Sequence, residues 1–184
     1  MAEPSIPLKQ RAIVGLDDGT LIISNNVDVP TLEDDLVIVR TKAVGLNPID
    51  TKMKGNLAAP GCIAGMDFAG EVVAVGPKSQ TPGQVKVGDR VCGAVIGYHK
   101  RNPAIGAFAE IVAATGAGLM KIPDGMSYEQ AASLGCAIST IGIALFKSLD
   151  VPGNPKTPAE KPVNVFVYGG STSTGTMAIQ LLKM

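Results

Sequence analysis

The residues able to do chemistry are concentrated in a few places, the most regular being Gly169-Gly170-Ser171-Thr172-Ser173-Thr174-Gly175. This loop follows the nearly continuous apolar run Val163-Asn164-Val165-Phe166-Val167-Tyr168 and precedes a helix expected over residues 176–184. Small residues let the backbone approach a diphosphate, and the start of the following helix offers free N–H groups to it. Thr172 stands where a dinucleotide fingerprint has its middle glycine. Gly170 and Gly175 have the spacing of a nucleotide-triphosphate loop, but Thr176 replaces the lysine such a loop requires, and that reading is excluded. The same composition also suits a plain turn between a strand and a helix, and both readings stand at this point. A dinucleotide fingerprint further needs a residue about 20 positions on to read the ribose. Nine residues follow Gly175. The sequence therefore predicts only the first β-α unit of an incomplete Rossmann domain.

Other reactive side chains are sparse. His99, the single histidine, has no cysteine near it in sequence and reads as a surface-loop residue. Cys62, Cys92 and Cys136 are odd in number and widely spaced, so they are expected to be reduced thiols in a cytoplasmic protein. Sixteen basic and sixteen acidic residues cancel, which gives no electrostatic case for nucleic acid or an anionic membrane. Aromatics make up 4% with no tryptophan, so no base-stacking platform is expected either. Residues 1–10 carry Pro4 and Pro7 and no apolar core of a secretory signal. The apolar stretch 131–146 contains Ser133, Ser139 and Thr140 and is shorter than the roughly 20 residues of a membrane span, so a buried helix is expected.

Hydrophobic residues at 46% and charged residues at 17% allow a packed core. Apolar runs at 12–14 and 21–24 flank Asp17-Asp18-Gly19 and predict a hairpin. Longer strands are expected at 36–45, 68–76, 91–96 and 106–112. Several short strands with glycine turns over residues 10–122 describe a barrel-like β unit. Ser127 with Gln130 forms a capping box for a helix-rich stretch reaching 149, broken near Gly135. Pro152, Pro155, Pro158 and Pro162 then mark a connector. The expected organisation is a β domain over 1–126, a helical bridge lining a cleft over 127–150, the connector over 151–162, and the Rossmann start over 163–184.

This order resembles the medium-chain dehydrogenase/reductase superfamily with its GroES-like β-rich barrel domain. The carrying motifs are Ala43-Val44-Gly45-Leu46-Asn47-Pro48-Ile49-Asp50-Thr51-Lys52-Met53-Lys54-Gly55, Gly65-Met66-Asp67-Phe68-Ala69-Gly70-Glu71-Val72, Val87-Gly88-Asp89-Arg90-Val91 and Gly106-Ala107-Phe108-Ala109-Glu110. Zinc-dependent members carry Cys where this chain has Asn47 and His where it has Met66, so the zinc-free branch is implied and no metal is expected. Asn47-Pro48-Ile49-Asp50-Thr51-Lys52-Met53, Ile138-Ser139-Thr140-Ile141-Gly142 and Val167-Tyr168-Gly169-Gly170-Ser171-Thr172 are similar to the trans-acting enoyl reductases of fungal polyketide biosynthesis.

That resemblance implies conjugate hydride transfer from NADPH to the β-carbon of an α,β-unsaturated thioester, with the protein stabilising the enolate. It implies cofactor contacts from Ile49, Asp50, Thr51, Lys52, Gly169, Gly170, Ser173, Thr174, Gly175 and Thr176. Lys52 and Thr51 are the implied catalytic donors. Asp50 is expected to fix local backbone or pair with Lys52. The acyl chain is expected along Gly142, Ile143, Ala144, Leu145, Phe146, Lys147, Ser148 and Leu149, with Gly142 permitting close helix packing. Ser139 and Thr140 either reach the cleft or bond back within their helix. The implied partner is a polyketide or hybrid synthase presenting an acyl chain on a carrier protein. A catalytically dead binding module and a quinone reductase of the same superfamily remain alternatives.

Overall fold

The structure, a computed structural model, describes residues 6–54, 57, 59–79 and 85–184. Pro4, and Gly55 at the end of the Asn47 motif, lie outside the described residues. The chain folds as two compact units, Met1–Gly135 and Cys136–Met184.

Among the described residues the first unit has seven strands: β1 (Lys9–Gly15), β2 (Leu21–Asp28), β3 (Leu36–Gly45), β4 (Asp67–Val75), β5 (Arg90–Ala94), β6 (Ile111–Thr115) and β7 (Leu119–Lys121). β1 and β2 form the expected hairpin. Its turn is set by Gly19 at φ +80° and by the Asp18 carboxylate accepting the Thr20 N–H at 2.7 Å. The other five strands form one antiparallel sheet in the order β6-β3-β4-β5-β7. β4 is its central strand, and the Val37-Ile38-Val39 run of the neighbouring β3 is buried on both faces. Val37 and Val39 enter the main core with Phe68, Val72, Val91 and Val112, whereas Ile38 packs with Ile111 and Ala113. The hairpin is knitted to the rest through its backbone: Ile13 N–H donates to Phe108, and Ala64 N–H to Ile13.

One strand expectation is corrected. Residues 106–110 do not continue into β6 as a single strand. Their hydrogen bonds go to two different segments, Ala107 and Phe108 donating to Gly65 and Ala64, Glu110 to Arg11. A ladder continues along the same neighbour over several residues, and the bonds of this segment switch neighbour within four residues.

α1 (Tyr128–Ala132) closes the first unit. The capping box forms, Ser127 Oγ accepting the Gln130 N–H at 3.2 Å and Gln130 Oε1 accepting the Ser127 N–H at 3.0 Å. Arg90 stacks over the Tyr128 ring at 4.6 Å and donates to the Met126 carbonyl. After a turn at 133–134 the chain re-enters helix as α2 (Gly135–Gly142) and a π-helix (Ile143–Ser148). This stretch is not the uniformly buried helix expected. Ala131, Ala132, Ala137 and Leu145 are buried, but Ile143 and Leu149 are exposed. Covering every side of a helix takes several packed neighbours, and residues 136–184 supply one other helix, α3 (Ser173–Leu182). By length and composition alone, Tyr128–Ser148 would suit a membrane crossing, but its first turn belongs to a globular core, with Ala131 and Ala132 packed beside Ala69 and Cys92.

Residues 163–168 form no strand, against expectation. A β-strand is stabilised by its ladder, and this segment has no ladder partner among the described residues. Phe166 is 89% exposed. In the 184-residue chain, amide hydrogen exchange across 163–168 is expected to be close to the unstructured rate. Strong protection there in a dilute monomer would contradict this.

Candidate functional site

Asn47 to Lys52 form one short 3-10 turn (Pro48–Thr51) directly after β3. Pro48 suits its first position because its missing N–H would be unpaired there anyway. The Asp50 carboxylate folds back, Oδ2 accepting the Asn47 N–H at 2.7 Å. Asp50 is thereby 8% exposed, while Thr51 and Lys52 face outward. Of the two roles expected for Asp50, the local backbone one is realised, and among the described residues no ion pair joins it to Lys52. Thr51 Oγ1 donates to the Pro48 carbonyl at 3.0 Å, so its lone pairs are what it offers outward.

Two further side chains complete this cluster. Asn47 Nδ2 donates to Asp67 Oδ2 at 2.8 Å, tying the turn to the start of β4. Tyr98 Oη donates to Asp50 Oδ1 at 3.3 Å. Tyr98 is buried and holds φ +58°, the left-handed region rarely adopted by bulky residues. Its role was not legible in sequence, because nothing local pairs residues 48 positions apart. Burial, and then the adjacent Asp50 charge, push the Tyr98 phenol up to about 12. An unfolded chain releases that proton near 10, so between 10 and 12 the native state holds more protons and stability falls with rising pH. The stability that Tyr98 confers over a Tyr98→Phe variant is therefore expected in full below pH 10 and to shrink toward pH 12. Urea unfolding of both proteins across that range checks it.

His99, expected on the surface, is half-buried, and its Nδ1 is enclosed without a hydrogen-bond partner. The loop carrying it is drawn inward by the Tyr98 N–H donating to Ile63 at 2.9 Å. Gly97 permits this, since a Cβ there would stand 2.0 Å from the Gly65 carbonyl.

The second unit holds the remaining expected residues in two local groups. In the glycine loop, Gly169 has φ +79°. Thr172 caps α3: its Oγ1 accepts the Gly175 N–H at 3.0 Å and donates to the Gly169 carbonyl at 2.8 Å. Helix consequently starts at Ser173, three residues before the expected Thr176, and Ser173, Thr174 and Gly175 lie in its first turn. The cap explains the threonine in place of a middle glycine. Gly175 is required where it stands, because a Cβ would lie 2.2 Å from the Gly169 carbonyl. Thr176 Oγ1 donates to the Gly170 carbonyl at 3.1 Å.

Ser139 and Thr140 are exposed on α2, Leu145 is buried in the π-helix, and Leu149 caps it. Gly142 does not serve close packing as expected: among the described residues nothing lies within 4 Å of where its Cβ would be. It marks the junction where α2 passes into the π-helix, a rare form frequent at functional sites. An open cavity of about 870 Å³ within this unit is lined by Phe146, Val151, Val165, Ile179 and Leu182, among others. A smaller one in the first unit, about 400 Å³, lies among Ile13, Ile23, Lys42, Val44 and Phe108 and touches none of the expected site residues. Among the described residues no three His, Cys, Asp or Glu side chains converge.

Comparison with known proteins places these features in a lineage. Residues 33–124 match the alcohol dehydrogenase GroES-like domain. Trans-enoyl reductase FSL5 of Gibberella zeae is 54% identical over 180 residues, which are 98% of this chain and 50% of that protein. Trans-enoyl reductase fsa3 of a Fusarium species is 51% identical over 176 residues, 96% of this chain and 50% of that one. The chain thus spans about half the length of the curated relatives it matches. Among solved structures, an alcohol dehydrogenase superfamily protein from Novosphingobium aromaticivorans superposes with a TM-score of 0.73 at 27% identity, covering 95% of this chain and 50% of that one.

Proposed function

The chain belongs to the alcohol dehydrogenase GroES-like domain family of medium-chain dehydrogenases/reductases, and on that premise we propose that the protein is an NADPH-dependent trans-acting enoyl reductase serving a polyketide or hybrid synthase in the cytoplasm. The observation that carries this reading is the identity of 51–54% with proteins named trans-enoyl reductases across nearly all of this chain.

The loop fits a dinucleotide's diphosphate on geometric grounds. Gly169 turns the backbone at a positive φ, Gly175 packs against the Gly169 carbonyl where a side chain would intrude, and the start of α3 adds N–H groups and the positive end of a helix dipole. Gly169, Gly170, Ser173, Thr174 and Thr176 would hold it there, and the family resemblance implies further cofactor contacts from Ile49, Asp50, Thr51 and Lys52. When bound, the reduced nicotinamide supplies the hydride. The chain's own residues supply orientation and charge. Lys52 is the only ammonium on the 3-10 turn and its cap, and it offers three donors to an enolate oxygen as negative charge develops. Thr51, its proton resting on Pro48, orients a neighbouring donor through its lone pairs. The apolar run Ile143, Ala144, Leu145, Phe146 and Leu149 gives an acyl chain an oily wall, with Ser139, Thr140, Gly142, Lys147 and Ser148 beside it.

The full-length protein mixed with NADPH and a crotonyl thioester is expected to oxidise the cofactor and yield the saturated thioester, faster than with NADH. Faster oxidation with a quinone than with the thioester would shift the reading to a quinone reductase. The absence of both turnover and cofactor binding would sink it.

A further inference from the structure

Three buried polar side chains and the half-buried Asn47 form a connected chain within the first unit. Asp67, 2% exposed, accepts from the Asn47 amide; the Asn47 backbone N–H donates to Asp50 Oδ2; and Asp50 Oδ1 accepts from Tyr98, 6% exposed. They sit on three separate elements: the start of β4, the 3-10 turn, and the loop after β5. Burying such groups is costly unless each is paired, and here each is. One of them also carries backbone strain, since Tyr98 sits at φ +58°, a conformation unfavourable for a bulky residue. Strain of this kind persists where the surroundings over-determine it, and it concentrates at working sites.

The direction in which this strain acts is legible. The left-handed turn at Tyr98 carries its hydroxyl onto the buried side of the 3-10 turn, whose outer side bears Thr51 and Lys52. Asp50 is gripped at both carboxylate oxygens, one by the turn's own backbone and one by a loop 48 residues away. A single grip would leave the turn free to rock about it; two grips fix its rotation, and with it the direction in which the next two residues point.

We propose that Tyr98 is a positioning residue for the reduction, acting through Asp50 to hold the turn that aims Thr51 and Lys52, an inference that rests on the functional reading above. Its hydroxyl does not touch substrate in this role; it sets the geometry of residues that do. Misplacement of reacting groups by a fraction of an ångström is costly in rate, so the effect falls on turnover rather than on the fold.

The test is a double-mutant cycle in the full-length protein: Tyr98→Phe, Asp50→Asn and the pair, each measured for melting temperature, NADPH affinity by fluorescence titration, and kcat and KM with a crotonyl thioester. Tyr98→Phe keeps the ring and removes only the grip. It is expected to leave the melting temperature within a few degrees and the NADPH Kd within about threefold, and to lower kcat about tenfold with KM little changed. The double variant is expected to be no slower than the slower single one, because both break the same link. A Tyr98→Phe enzyme turning over within twofold of the unchanged protein overturns the proposal. So does a double variant in which the two losses multiply, since Tyr98 would then act independently of Asp50. Should Tyr98→Phe fail to fold, Asp50→Asn decides from the other end: its kcat within twofold of the unchanged protein overturns the role. Absence of both turnover and NADPH binding in the unchanged protein overturns the functional reading and this role together, whereas full turnover by Tyr98→Phe removes this role alone.

Discussion

Lys52→Met in the full-length protein is expected to lower kcat/KM for an enoyl thioester by about a hundredfold. Removing one preorganised donor from a developing oxyanion costs on the order of 10²–10³ in rate. The low end applies here, because Lys52 is exposed and sits on a flexible stem, where water partly replaces it. Methionine keeps the apolar stem and removes only the charge, so a general loss of packing is not the cause of any fall. Lys52 caps the 3-10 turn through its backbone N–H to Ile49 at 2.9 Å, and that bond is unaffected by the side chain. Arginine is expected to restore part of the rate, since it returns the charge in a longer and planar form. A Lys52→Met enzyme working within twofold of the unchanged protein would mean a solvated surface lysine with no part in the chemistry.

Phe68→Ala is expected to produce the largest loss of stability, about 3–5 kcal/mol. Phe68 is 0% exposed and heads the fully buried side chains by volume. It lies on β4 opposite Val44 of β3 and packs in the core with Val37, Val39, Val72, Val91 and Val112. That core is pinned by β-sheet backbone on several sides, so it collapses poorly around a void and the cavity penalty is kept. A domain stable by roughly 5–15 kcal/mol would be left near its unfolding threshold. Urea denaturation followed by far-UV circular dichroism measures the loss. Leu8→Ala, at a residue 88% exposed, serves as the control and should fall within about 0.5 kcal/mol of the unchanged protein. A Phe68→Ala loss under about 1.5 kcal/mol would show a core able to refill the space. Because Asp67 immediately precedes Phe68, the same variant should also loosen the Asn47–Asp67 link and with it the 3-10 turn.

The sequence by itself determined those features whose physics is local. Asp17-Asp18-Gly19 dictated a hairpin because one carboxylate and one glycine suffice to turn the chain. Ser127 and Gln130 announced a helix start because both partners of a capping box lie within one turn. The apolar run of β3 read as a strand at its observed bounds because nothing in it competes with that conformation. Gly169 to Gly175 read as a loop leading into a helix from residue type and close spacing, whereas Asn47 to Lys52 stood out only through its resemblance to a known family.

What required tertiary structure was every pairing between distant segments. Val163-Asn164-Val165-Phe166-Val167-Tyr168 has the composition of a buried strand, yet a strand exists only through a neighbour's ladder, and composition does not supply one. Residues 106–110 look continuous with β6, yet their hydrogen bonds divide between two segments far away in sequence. Sequence spacing offers Asp50 a partner in Lys52 two residues on; the fold instead brought it Tyr98 from 48 residues away and gave Asn47 to Asp67 across 20. Such choices depend on which groups are desolvated together once the core closes, and only the folded chain carries that information.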